Sequence, residues 1–97
     1  MSKIVFVQDA RGWRQGTRRG DLVRLAYERE PREVAGLTLA PPLPRKLAVG
    51  ADVLVQRMFA SFAEVATVEH VAGRDVTVRF EYGDHAVVDR EQLAVAP

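Results

Sequence analysis

The alternation between Asp75 and Tyr82 limits what this chain can become more than any other stretch of it. Val76, Val78, Phe80 and Tyr82 fall on one face of an extended chain, and Thr77, Arg79 and Glu81 fall on the other. That is the pattern of a half-buried strand. Ala72-Gly73-Arg74 before it and Gly83-Asp84 after it each offer a glycine for a backbone angle that other residues resist, so the strand belongs to a hairpin meander. Upstream, Val53 and Val55 alternate out of Gly50, and Ala66 and Val68 mark a second run ending near Val71. Downstream, His85–Asp89 reads as a short strand and Arg90-Glu91-Gln92-Leu93 as one helical turn before Ala94–Ala96. Four or five short strands at this spacing favour closure, which removes exposed edges. The sequence therefore predicts a mainly β chain in which Gly50–Ala96 forms a five-stranded barrel, with Val53, Val55, Ala66, Val68, Val76, Val78 and Leu93 in its core.

Taken in order, the same stretch resembles a family. Val49-Gly50-Ala51-Asp52, Ala66-Thr67-Val68, the run from Val76 to Phe80, Tyr82-Gly83-Asp84 and Gln92-Leu93 are similar to the motifs of a Tudor domain, within the broader class of SH3-like barrels. The resemblance covers residues 49–96, and other small barrels share its opening glycine and its two turns. It implies an SH3-like (Tudor-like) barrel over 48–97; Ile4–Val7, Val23, Leu25, Tyr27, Val34, Leu37 and Leu39 are too apolar to remain solvated, so 1–47 is expected as an N-terminal β extension packed on that barrel. Where that family reads methylated side chains, an aromatic cage surrounds the cation. By position the resemblance keeps two cage sites as Phe80 and Tyr82, with Asp84 as the polar residue beside them. The other two fall near Arg57–Met58 and Glu64, with Phe59 and Phe62 close enough for a shifted loop to supply a ring. Arg57 in a cage would repel a methylated lysine. Two readings stay open: a peptide-binding face made by Phe59, Phe62, Phe80, Tyr82 and Asp84, or Phe80 and Tyr82 as core residues of their strand.

The charge is uneven. Residues 1–47 hold ten Lys and Arg against five Asp and Glu, a balance of +5, whereas residues 48–97 hold four against eight, a balance of −4. The basic excess gathers in Arg11-Gly12-Trp13-Arg14-Gln15-Gly16-Thr17-Arg18-Arg19-Gly20, which reads as a loop because its glycines disfavour a helix. Guanidinium groups pair with phosphate oxygens and an indole offers a base a surface to stack on, so Arg11, Trp13, Arg14, Arg18 and Arg19 are candidate nucleic-acid contacts for RNA or DNA. The alternatives are a solvated loop whose Trp13 folds back onto the barrel, or association of this basic half with the acidic half of a neighbour. A protein partner, including a homodimer that covers a remaining apolar edge, belongs among the expectations.

At the start of the chain, Ile4, Phe6 and Val5, Val7 are apolar on both faces of one strand, which therefore needs cover on both sides. Asp21–Tyr27 reads as a strand with Val23, Leu25 and Tyr27 inward, the alternative being a helix capped by Asp21. A weak repeat at an offset of thirty-one lays Asp21-Leu22-Val23 over Asp52-Val53-Leu54 and Glu33-Val34-Ala35 over Glu64-Val65-Ala66. It makes Gly20–Leu39 a copy of the barrel's first hairpin. Ala40–Lys46, with three prolines, reads as an extended, stiff connector.

Several functions lack the residues they need. The chain has no cysteine, and His70 and His85 alone cannot complete a tetrahedral zinc site, so no metal or cofactor is expected. No nucleophile motif, P-loop or dinucleotide glycine pattern is present, which argues against an enzyme. Ile4–Val7 is too short for a leader or a membrane span, giving a cytoplasmic expectation, and the Arg-rich, Lys-poor composition suggests a bacterial source.

Overall fold

The computed structural model describes residues 2–97 and contains two antiparallel sheets. The first comprises β1 (Lys3–Asp9), β2 (Gly12–Arg19), β3 (Leu22–Leu25) and β4 (Arg32–Glu33), followed by a 3-10 turn at Val34–Gly36. The second comprises β5 (Asp52–Val55), β6 (Glu64–Ala72), β7 (Asp75–Arg79) and β8 (His85–Asp89), followed by a 3-10 turn at Arg90–Gln92 and by β9 (Ala94–Val95). Gly20 and Gly73 stand at the first central position of two-residue hairpins with φ of 59° and 62°, a backbone angle open to glycine at no steric cost.

The two sheets follow one plan. In the second, β9 returns to pair with β5, giving the order β9-β5-β6-β7-β8. In the first, Leu39 returns to bridge Val7 of β1, outside the order β1-β2-β3-β4. Each 3-10 turn is anchored in the same way. Val34 N–H donates to the Asp21 carbonyl and Arg90 N–H to the Arg74 carbonyl, both at 2.8 Å, each acceptor being the residue after its hairpin glycine. Leu37 and Leu93 then close their turns onto Val34 and Arg90, and the chain continues as Leu37-Thr38-Leu39-Ala40-Pro41 in one half and Leu93-Ala94-Val95-Ala96-Pro97 in the other. The halves are therefore structural copies, with β3 matching β7. This corrects the offset of thirty-one, which would match β3 to β5.

Each half has its own core, and a third cluster joins them. Val7, Val23 and Leu25 are buried in the first half, with Leu37 and Leu39 against them. In the second half Val53, Val55, Ala66, Val68, Val76, Val78, Phe80 and Leu93 are buried, as expected of the seven residues predicted there. Between the halves Phe6, Leu54 and Ala94 pack with Ile4, Trp13 and Ala63. Strand β1 is thus covered on both faces, Val5 and Val7 by its own half and Ile4 and Phe6 by the other. Burying both faces removes the apolar area of four consecutive side chains from water, at roughly 25 cal/mol per Å².

The structure overturns several sequence expectations. The second sheet is not a closed barrel: β9 is two residues long and pairs only with β5, and β8 keeps a free edge. Residues 12–19 are a strand and not a loop, because Ile4–Val7 needs a ladder partner and Lys3–Asp9 finds it in Gly12–Arg18. Gly16 is there for close packing, since a methyl group on it would lie 3.0 Å from the Val23 side chain and from the Arg24 carbonyl. Tyr27 does not point inward; it follows the end of β3 and is 77% exposed. Tyr82 is likewise outside, 90% exposed, because β7 stops at Arg79 and Phe80–Gly83 forms the turn, closed by Gly83 N–H to the Phe80 carbonyl. The proline-rich connector is no free spacer: Leu43 and Leu47 pack on the second core, and the Pro41 carbonyl accepts from Val95 N–H.

Candidate functional site

Strand alternation divides the arginine segment between two faces. Arg14, Gly16 and Arg18 share the face of Val23 and Leu25, whereas Trp13, Gln15, Thr17 and Arg19 share the face turned to the second half. Arg14 is engaged by Asp9 and Glu28, at 3.3 Å each, and Glu28 is held in turn by Arg32 at 2.8 Å. Asp9 lies below the ordinary carboxylate pKa because the Ala10 N–H and Arg14 both donate to it. Arg18 Nε donates to the Gly20 carbonyl. Trp13 is half-buried against the Phe6–Leu54–Ala94 cluster, the fold-back alternative named from the sequence. Arg11 and Arg19 are exposed, and eight residues of extended chain set them roughly 25 Å apart at about 3.3 Å per residue. These five residues do not form one patch around the indole.

The aromatic set drawn from the resemblance is also divided. Phe80 is buried, and the guanidinium of Arg57 lies over its ring at 3.6 Å from the centroid. Arg57 donates to Asp84 at 2.7 Å, and its Nε lies 2.7 Å from the Glu64 carboxylate. The hydrogen bond from Arg57 holds Asp84 below its ordinary pKa, and the same bond, with the Glu64 charge, raises that of Arg57. The ring, the two carboxylates and their cation therefore form a set already filled by the chain itself. Phe62 packs over Gly12, where an added methyl would meet its ring at 3.7 Å, and Ala63 N–H donates to the Trp13 carbonyl at 2.7 Å. Tyr82 stands in solvent at its turn.

A cleft of about 460 Å³ lies between the halves, and its walls carry Tyr27, Met58 and Phe59. All three are large apolar side chains in water, 77%, 83% and 86% exposed. Tyr27 and Phe59 are also the non-glycine residues of positive φ among those described, at 70° and 68°. Each is the third residue of a four-residue turn: Leu25-Ala26-Tyr27-Glu28 is closed by Glu28 N–H to Leu25, and Arg57-Met58-Phe59-Ala60 by Ala60 N–H to Arg57, both at 3.1 Å. That position ordinarily takes Gly or Asn. An aromatic residue there costs on the order of 1–2 kcal/mol.

One residue of β2 ties both turns down. The Gln15 carbonyl accepts from Ala26 N–H at 3.1 Å, and the Gln15 N–H donates to Gln56 Oε1 at 2.6 Å. Gln56 Nε2 then donates to the Ala60 carbonyl at 2.8 Å. The spacing of Tyr27 and Phe59 across the cleft is thus set by backbone ladders and one amide. Sequence reasoning named Phe59, turned Tyr27 inward, placed Met58 only beside a cage position, and missed Gln56 and Arg24. The available signal was the apolar pair Met58-Phe59 placed after a strand had ended; nothing marked Tyr27, since no glycine announces its angle.

Among the described residues no group of three His, Cys, Asp or Glu side chains is placed to hold a metal, and no helix is long and apolar enough to cross a membrane. His70 is exposed, and His85 lies on the surface beside Glu69 at 2.9 Å. Comparison of the chain with family models, with curated proteins and with solved structures finds no match.

Proposed function

We propose that this chain is a non-catalytic protein-interaction module, built of two SH3-like, Tudor-like units, that holds an extended segment of a partner in the cleft between them. One observation carries the reading: Tyr27 and Phe59 are both strained and both exposed on the same cleft. Strain that buys no packing within the chain marks positions kept for contact with something else. The SH3-like part of the reading is supported by the meander, the 3-10 turn and the return strand in each half.

Selection from a random peptide display library tests the function, with the Tyr27→Gly/Phe59→Gly variant as counter-target. Peptides enriched on the native chain should fail to bind the variant. No enrichment, or enriched peptides indifferent to the two substitutions, would refute the reading.

Binding of RNA or DNA through β2 is the second reading, favoured by exposed Arg11 and Arg19, which make no ion pair with a described carboxylate. It requires that affinity for a single-stranded oligonucleotide fall with salt at a log–log slope of roughly −0.7 per phosphate contact. Loss of that slope in Arg11→Gln/Arg19→Gln would favour it over the cleft.

A further inference from the structure

We infer that the segment held in the cleft is acidic, an extended stretch of a partner protein in which carboxylates alternate with apolar side chains; this rests on the reading of the cleft as a peptide site. The charged side chains on its walls are Arg24, Glu28 and Arg57. Two of them are already matched. Glu28 accepts from Arg32 and Arg14, and Arg57 is held by Asp84 and Glu64. Arg24 is exposed and makes no ion pair with any described carboxylate. The uncommitted charge of the cleft is therefore one guanidinium, a group whose fork fits a carboxylate.

The rest of the wall fits the same ligand. Arg24 lies opposite Thr17 on the face of β3 turned to the second half, and Tyr27 follows two residues after that strand ends. Successive side chains of an extended segment point to opposite sides, so one row meets Arg24 while the other lies on Tyr27, Met58 and Phe59. Met58 is unbranched and adapts to more than one apolar shape. The carboxylates of the second half outside the Arg57 set, among them Glu81, Asp89 and Glu91, are not on the cleft wall.

The test uses three fluorescein-labelled octapeptides of alternating residues, glutamate–leucine, glutamine–leucine and lysine–leucine, titrated with the full chain in an anisotropy assay. The glutamate peptide should bind more tightly than the glutamine peptide by about two- to fivefold, the scale of one exposed charge pair, and the lysine peptide most weakly. Arg24→Glu should reverse the order, and Arg24→Gln should abolish the difference. Equal binding of the glutamate and glutamine peptides, tighter binding of the lysine peptide, no binding of any of the three, or an order unchanged in Arg24→Glu would overturn the inference. If charge preference fails while Tyr27→Gly/Phe59→Gly still weakens binding, the acidic partner falls and the cleft survives. If those two substitutions change nothing, the cleft falls as well. A dimer in solution that the same two substitutions dissociate would make a second copy of the chain the occupant, and would also overturn the inference.

Discussion

The side-chain amide of Gln56 fills a place in the strand ladder opposite Gln15. Its Oε1 accepts from the Gln15 N–H at 2.6 Å, beside the Gln15 carbonyl that accepts from Ala26 N–H, and its Nε2 holds the Ala60 carbonyl at 2.8 Å. One residue of the second half thereby completes the first sheet and fixes the turn that presents Phe59.

Gln56→Ala removes both bonds and leaves a partly buried N–H unpaired, which costs on the order of 1–3 kcal/mol. Urea unfolding should register that loss. Amide exchange should quicken most at Gln15 and Ala60, where the bonds are lost or their turn released.

Gly16→Ala should destabilise the first half by overpacking. The new methyl would lie at 3.0 Å from the Arg24 carbonyl and the Val23 side chain and 3.1 Å from Leu25, and backbone cannot yield as a flexible side chain does. A cost of about 1–3 kcal/mol is expected, read from the urea midpoint at constant slope.

The legible parts of this chain were those where local pattern and tertiary environment agree. Val76 and Val78 alternate against solvent-facing Thr77 and Arg79 between glycine turns, and the strand is where that pattern puts it. The internal repeat was present as Leu37-Thr38-Leu39-Ala40-Pro41 and Leu93-Ala94-Val95-Ala96-Pro97, yet no single offset reveals it. Two residues join β1 to β2, whereas residues 56–63 join β5 to β6, so matched elements drift apart along the chain. The arginine segment misled for another reason: Gly16 serves close packing inside a strand and Gly12 takes a φ of 149° at its start, and composition alone cannot separate these roles from loop flexibility. Tyr27 left no trace, because its turn violates the residue preference that would have exposed it.

Acid should weaken the fold through Asp84. The Arg57 guanidinium donates to its carboxylate and holds its pKa below the ordinary 3.8. The folded chain thus binds that proton less readily than the unfolded chain, so the pair's contribution is complete above the ordinary value and is lost as pH falls through the lowered one. Asp84→Asn should make urea stability less dependent on pH in that acidic window. A residual slope should remain, since Asp9 and Asp89 are lowered too, each chiefly by a backbone N–H.

Tyr27→Gly and Phe59→Gly should each leave the fold as stable or more stable. Relief of a left-handed aromatic residue returns about 1–2 kcal/mol, and the added freedom of glycine in the unfolded chain takes back about 0.5–1 kcal/mol. Thermal unfolding of the single variants should show unchanged or raised midpoints. A marked loss would mean that these side chains serve the fold and not a partner.

The most direct measurement of the central claim is a nitrogen–proton NMR titration of the labelled chain with a peptide enriched by display, followed by the same titration with a single-stranded oligonucleotide. A peptide held in the cleft should shift Thr17, Arg24, Tyr27, Met58 and Phe59 on its two walls, with Phe80–Gly83 and Arg11 unmoved. Peptide shifts centred on Phe80–Gly83, or shifts confined to Arg11, Arg18 and Arg19 with the oligonucleotide alone, would contradict it.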